Sequence, residues 1–123
     1  MGGGVVEMIL IVEDDKSVRE TLADTLSDEG YTVAAVENGQ QALDYLSHHP
    51  PPCLILLDLW MPVMSGVEFR QAQVADPAIA SIPVIVISAA TDMRARLQSM
   101  PAQAYLPKPV DLGALIGAVA QHC

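Results

Sequence analysis

Asp58 stands directly after the apolar run Leu54-Ile55-Leu56-Leu57, and Met61-Pro62 and Gly66 break the backbone soon after it. An apolar run bounded by breakers reads as a strand buried on both faces, so a carboxylate at its end belongs at the lip of a sheet. Glu13-Asp14-Asp15 ends a second such run, Met8-Ile9-Leu10-Ile11-Val12. Ser88 follows a third, Ile82 to Ile87, and Lys108 comes shortly after a fourth, Ala104-Tyr105-Leu106. Gathered at one lip, these groups have a definite chemistry. Like charges 4 Å apart repel by about 4 kcal/mol at an effective dielectric near 20, so clustered carboxylates call for a cation. All-oxygen ligands describe Mg2+, with Mn2+ as its substitute, better than zinc, which wants His or Cys. Beside such a cation and Lys108, Asp58 is placed to attack a phosphoryl group and form an acyl phosphate, with the Ser88 hydroxyl bonding an incoming oxygen. The product carries about two negative charges where there had been one, which makes it a switch.

Periodicity supplies the elements that would hold these residues. Val18, Leu22 and Leu26 recur every four positions between Lys16 and Glu29, and Gly30 stops that helix. Thr32 to Val36 reads as a strand, Asn38-Gly39 as a turn, and Gln40 to His48 as a helix ended by Pro50-Pro51-Pro52. Val67 to Ala75 fits a third helix, Thr91 to Met100 a short fourth, and Asp111 caps a last one to about Gln121. Strand and helix alternate five times, predicting an α/β flavodoxin-like (βα)5 sandwich with a parallel sheet of order 2-1-3-4-5. Sites in such sheets lie beyond the strand carboxyl ends where strands 1 and 3 meet. Glu13, Asp14, Asp58, Ser88 and Lys108 would all arrive there.

The 123 residues suit one domain, and a net charge of -9 argues against direct nucleic-acid binding. The apolar runs are too short to span a bilayer, so no membrane insertion is expected. Residues 1–7 lack the features of a secretory signal and read as a flexible leader, which suggests a cytoplasmic location. Cys53 and Cys123 have neither metal nor redox spacing and are expected to be thiols, Cys53 buried. His48-His49 should be exposed near a helix end rather than metal ligands. Gly113 and Gly117 on the last helix suggest close packing on the sheet, with a weak homodimer face as the alternative.

Together, the acids after strand 1, Asp58 with Met61-Pro62 and Gly66, Ser88, and Lys108-Pro109 are similar to the receiver domain of two-component response regulators of the chemotaxis-regulator type. The resemblance spans about Met8 to Gln121, leaving residues 122–123 as a tail and no effector domain in this chain. It implies that Asp58 is the phosphoacceptor and that Glu13 and Asp14 hold magnesium, in a register selected by Arg19; the alternative pair is Asp14 with Asp15. Trp60 would offer its backbone carbonyl to the metal. Lys108, followed by a bond that is cis in the family, would be the fixed cation. Ser88 would be the switch hydroxyl and Tyr105 the aromatic that follows it, the alternative being a tyrosine that merely packs at a strand edge.

A histidine kinase or phosphotransfer protein would be the donor, docking on the first helix near Lys16 and Glu20. An effector protein or domain would read the face made by the fourth helix, fifth strand and last helix. Such a domain catalyses its own phosphorylation and slow autodephosphorylation. Trp60 and Ala90 offer no polar group to position a hydrolytic water, so Trp60 is expected to shield the phosphoryl group and lengthen its lifetime. Pro101, where the family commonly has glycine, should stiffen the approach to strand 5. A phosphohydrolase working through aspartyl phosphate would want an acid where Trp60 stands, and Glu13-Asp14-Asp15 would repel the phosphate of a flavin. Signalling without phosphate is disfavoured because no member of the phosphorylation set is missing.

Overall fold

Five short strands, β1 (Met8–Val12), β2 (Thr32–Val36), β3 (Leu54–Asp58), β4 (Val84–Ala89) and β5 (Ala104–Lys108), pair in parallel in the order β2-β1-β3-β4-β5. The computed structural model describes residues 7–89 and 102–123. Helices α1 (Lys16–Asp28), α2 (Gly39–His48), α3 (Gly66–Ala75) and α4 (Leu112–His122) complete the described elements of a flavodoxin-like fold. The helix expected over Thr91 to Met100, with Ala90 and Pro101 beside it, lies outside the described residues.

Alternation along the strands builds two cores. Leu10, Val12, Ile55 and Leu57 point to one face, where Ala42 and Leu46 of α2 and Phe69 of α3 cover them. Ile9, Ile11, Leu54 and Leu56 point to the other, against Leu22 and Leu26 of α1 and Leu115 and Val119 of α4. Because both faces of β1 and β3 are covered, these strands carry unbroken apolar runs. The first polar residue after each run therefore sits at the edge, and the register aligns those edges: Asp58 lies opposite Ile87, and Ala89 opposite Lys108.

Several elements depart from the sequence expectation for local reasons. Asn38-Gly39 is not a free turn: the Asn38 side chain accepts from the Gln41 N–H and caps α2, of which Gly39 is the first residue. Strand β4 begins at Val84 and runs through Ser88 to Ala89, two residues later than the expected Ile82 to Ile87. Ile82 instead donates back to the Ile79 carbonyl, and Pro83, lacking an N–H, contributes only its carbonyl to Ile55. Strand β5 continues through Pro107 to Lys108, which an edge strand tolerates.

Cys53 and Cys123 are not free thiols; a disulfide joins them. Cys53 immediately precedes β3 and Cys123 caps the end of α4, and both pack against the core that α4 shares with Leu54. Their Cα atoms are 5.1 Å apart, within the span of a disulfide, although 70 positions separate them in sequence. Such a pairing arises from tertiary packing, so spacing carries no sign of it; Cys53 is also only half-buried.

The glycines of α4 are likewise corrected. Gly113 and Gly117 are exposed; among the described residues a Cβ at Gly117 would meet nothing within 4 Å, and one at Gly113 only the Asp111 carboxylate at 3.3 Å. Leu115 and Val119 carry the packing instead. His48 and His49 are exposed at the end of α2, as expected. Among the described residues no helix is long and apolar enough to cross a membrane.

Candidate functional site

Four strand ends converge on one acidic pocket. Glu13, Asp58 and Ser88 are each at most 4% exposed, whereas Asp14 is exposed. One carboxylate oxygen from each of Glu13, Asp14 and Asp58 falls within 4.8 Å of the others. Lys108 reaches in from β5, its Nζ 3.0 Å from Glu13 Oε1 and 3.4 Å from Asp58 Oδ1. The contact to Glu13 is the shorter of the two, so the buried Glu13 carboxylate has the ammonium as its charge partner. Ser88 Oγ is buried and has no hydrogen-bond partner among the described residues. Leaving such a hydroxyl unpaired is costly unless the site receives something that bonds to it.

Asp58 titrates far from the usual carboxylate range. Burial, reinforced by the neighbouring Glu13 charge, pushes its carboxyl up to about 7, and Lys108 only partly opposes this. Burial pulls the Lys108 ammonium down, but its pairing with Glu13 and Asp58 outweighs that and leaves its pKa raised. Lys108 is therefore a permanent cation at neutral pH. When all three acids are ionised they leave two negative charges unmatched by Lys108, which suits a divalent cation held by oxygen ligands.

Asp15 takes another task. Its carboxylate accepts from the Val18 N–H and caps α1, away from the Glu13–Asp14–Asp58 group. Arg19, one turn into α1, donates from Nη1 to the carbonyls of Glu13 at 2.9 Å and Asp14 at 3.3 Å, and its Nη2 lies 3.6 Å from Glu37 Oε1. It thus clamps the acid-bearing loop to the loop after β2. In the sequence Arg19 marked only the register; an arginine that returns to the carbonyls before its own helix has no signature beyond its place in the first turns.

The loop after β3 is held from both ends. Ser65 and Glu68 form a reciprocal capping box at the start of α3, a Ser-x-x-Glu signal legible in the sequence. The Met64 carbonyl accepts from the Gly39 N–H at 3.0 Å, tying this loop to α2. Between these anchors, the Met64 N–H closes a three-residue turn onto the Pro62 carbonyl around Val63, whose φ is 69°. A β-branched residue is strained there. Val63→Gly is expected to stabilise the protein by roughly 1 kcal/mol in urea denaturation, because the side chain is 80% exposed and contributes little packing. A destabilised variant would show that Val63 packs more than its exposure implies.

Trp60, two residues beyond Asp58, has half its side chain exposed. Tyr105, three residues before Lys108, lies opposite Val86 and packs half-buried against the core on the α2–α3 side, outside the acid cluster. The Lys108-Pro109 bond is cis, as the resemblance implied.

Residues 9–120 match the response regulator receiver domain family. The chain is 36% identical over 111 residues to response regulator MprA of Mycobacterium sp. strain KMS, covering 88% of this chain and 46% of that protein. It is 37% identical over 111 residues to MprA of Mycobacterium bovis strain BCG Pasteur, with the same coverage of both chains. The chain therefore spans about half the length of the curated relatives it matches. Among solved structures, the signal receiver domain of a signal transduction histidine kinase from Syntrophus aciditrophicus superposes with a TM-score of 0.86 at 32% identity, covering 94% of this chain and 88% of that one. Chemotaxis response regulator CheY4 of Vibrio cholerae superposes with a TM-score of 0.87 at 26% identity, covering 97% of this chain and all of the other.

Proposed function

The chain belongs to the response regulator receiver domain family of two-component signalling, and on that premise we propose that Asp58 accepts a phosphoryl group from a phosphohistidine donor. The observation that carries this reading is the buried Asp58 carboxylate, 3.4 Å from Lys108 Nζ and grouped with Glu13 and Asp14. An Asp58 oxygen attacks phosphorus, the P–N bond to the donor imidazole breaks with its electron pair leaving on nitrogen, and a P–O bond forms. Lys108 holds a phosphoryl oxygen, and the partnerless Ser88 Oγ–H donates to another. Glu13, Asp14, Asp58 and the Trp60 backbone carbonyl would hold Mg2+, or Mn2+ in its place; the two negative charges that Lys108 leaves unmatched and the all-oxygen donor set fit such an ion. When bound, it neutralises charge on the phosphoryl oxygens.

Signalling then follows from Ser88. Rotation of its hydroxyl toward the phosphoryl group opens space into which Tyr105 turns, changing the face that β5 and α4 present. A histidine kinase or phosphotransfer protein is the donor. The groove of about 480 Å3 between α1 and the β5–α4 connection, lined by Ser17, Val18, Thr21, Lys108, Pro109 and Leu112, is the place for its helices, and Lys16 and Glu20 pair on the exposed part of α1. We assign the domain to the cytoplasm, where such donors act, and its output to an effector protein or domain reading the changed face.

Treatment with acetyl phosphate and magnesium should add one phosphoryl group by intact mass to the wild type and none to Asp58→Asn. A phosphorylated variant would overturn the assignment. Trp60, half-exposed beside the site, is assigned the role of cover, so the acyl phosphate should decay faster in Trp60→Asn; equal decay rates would remove that role.

A further inference from the structure

We propose that Cys53 and Cys123 form a reversible thiol–disulfide site that fastens the end of α4 to the start of β3, with a small-molecule disulfide as its oxidant. Three observations support this. The two Cα atoms are 5.1 Å apart and the sulfurs are bonded, so the backbone needs no movement to open or close the bridge. Each cysteine is fixed independently of the bond: the Cys53 N–H donates to the Met8 carbonyl at 2.8 Å and the Cys123 N–H to the Val119 carbonyl at 2.9 Å. Both remain partly exposed, which gives a small thiol or disulfide access.

The bridge lies at the opposite end of β3 from Asp58, five residues and roughly 16 Å away along the strand. It therefore acts on the attachment of α4, with the acidic pocket out of reach. The chemistry balances as two exchanges. The thiolate of one cysteine attacks the small disulfide, forming a mixed disulfide and releasing one small thiol. The second cysteine then displaces the other small thiol, so the protein loses two hydrogens and the oxidant gains them. In a reducing compartment such a bridge opens and closes with the thiol pool; in an oxidising one it stays shut.

The test compares protein reduced with dithiothreitol and protein oxidised with glutathione disulfide. Oxidation should remove both alkylatable thiols, leave a mass two hydrogens lighter, slow amide exchange in residues 112–122, and raise the melting temperature on the order of 10 °C, as closing a long loop predicts. Cys123→Ser, at the helix end where folding depends on it least, should melt with the reduced wild type and ignore the oxidant; Cys53→Ala should also lose the response. Persistent alkylatable thiols, a stable glutathione adduct, or identical melting of the oxidised and reduced wild type would each overturn the proposal.

Discussion

Metal-free Asp58→Asn protein is expected to be more stable than the wild type above pH 7 and to match it near pH 4. The Asp58 carboxyl is pushed up to about 7 in the folded protein, against an ordinary value of 3.8, chiefly because folding buries it and secondarily because Glu13 lies beside it. A group whose folded pKa is raised contributes stability that is fully present below its unfolded value and is lost as pH rises through the folded one. The wild type should therefore lose stability between about pH 4 and 7, by at most about 4 kcal/mol for this difference in pKa. An amide at the same place has no charge to desolvate, so Asp58→Asn should lack that decline. Added magnesium should restore the wild type at pH 8 and do much less for the variant. Urea denaturation at pH 4 and pH 8, with and without magnesium, measures all four quantities. A variant less stable than the wild type at pH 8 without metal would mean that Lys108 compensates the Asp58 charge fully.

Gly66→Ala is expected to destabilise the protein by roughly 3 kcal/mol or more and to cut phosphoryl uptake about a hundredfold. A Cβ on Gly66 would run into the Asp58 carbonyl oxygen and come within 2.9 Å of the Leu59 Cα, both backbone atoms with nowhere to go. The Gly66 N–H also donates to the Leu59 carbonyl at 2.9 Å, so α3 starts against the backbone that carries Asp58. Relieving the overlap moves either the helix or Asp58. Gly39→Ala is the informative comparison, since its Cβ would crowd Met64, at 2.7 Å from Cγ and 3.0 Å from the carbonyl oxygen, and so disturb the loop away from Asp58. Thermal melts and acetyl phosphate labelling of both variants separate the cases. Wild-type uptake in Gly66→Ala would show that the loop relaxes without disturbing Asp58.

The buried strands were legible because burial on two faces leaves a plain mark: β1 matches its apolar run residue for residue, and β3 adds only Asp58 to its own. Boundaries moved where a single residue decides hydrogen bonding. Pro83 shifted β4 downstream, and Asn38 turned an expected turn into a helix cap. The acidic pocket was legible as well, because polar residues at the ends of apolar runs must meet at the sheet edge. What stayed hidden depends on atoms brought together by packing: the Arg19 clamp on two carbonyls, the strained turn at Val63, and the disulfide between β3 and the end of α4. The open surroundings of Gly117 show the reverse, a residue whose spacing suggested a packing reason that the helix does not supply.

The proposed site has Asp58 accepting a phosphoryl group beside a metal held by Glu13 and Asp14. The fluorescence of Trp60, the chain's one tryptophan and half-exposed two residues from Asp58, reads that site directly. Titrating the protein with beryllofluoride, a mimic of the acyl phosphate, should change this fluorescence saturably in the presence of magnesium and leave it unchanged in Asp58→Ala. No change in the wild type, or the same change in Asp58→Ala, would contradict the claim.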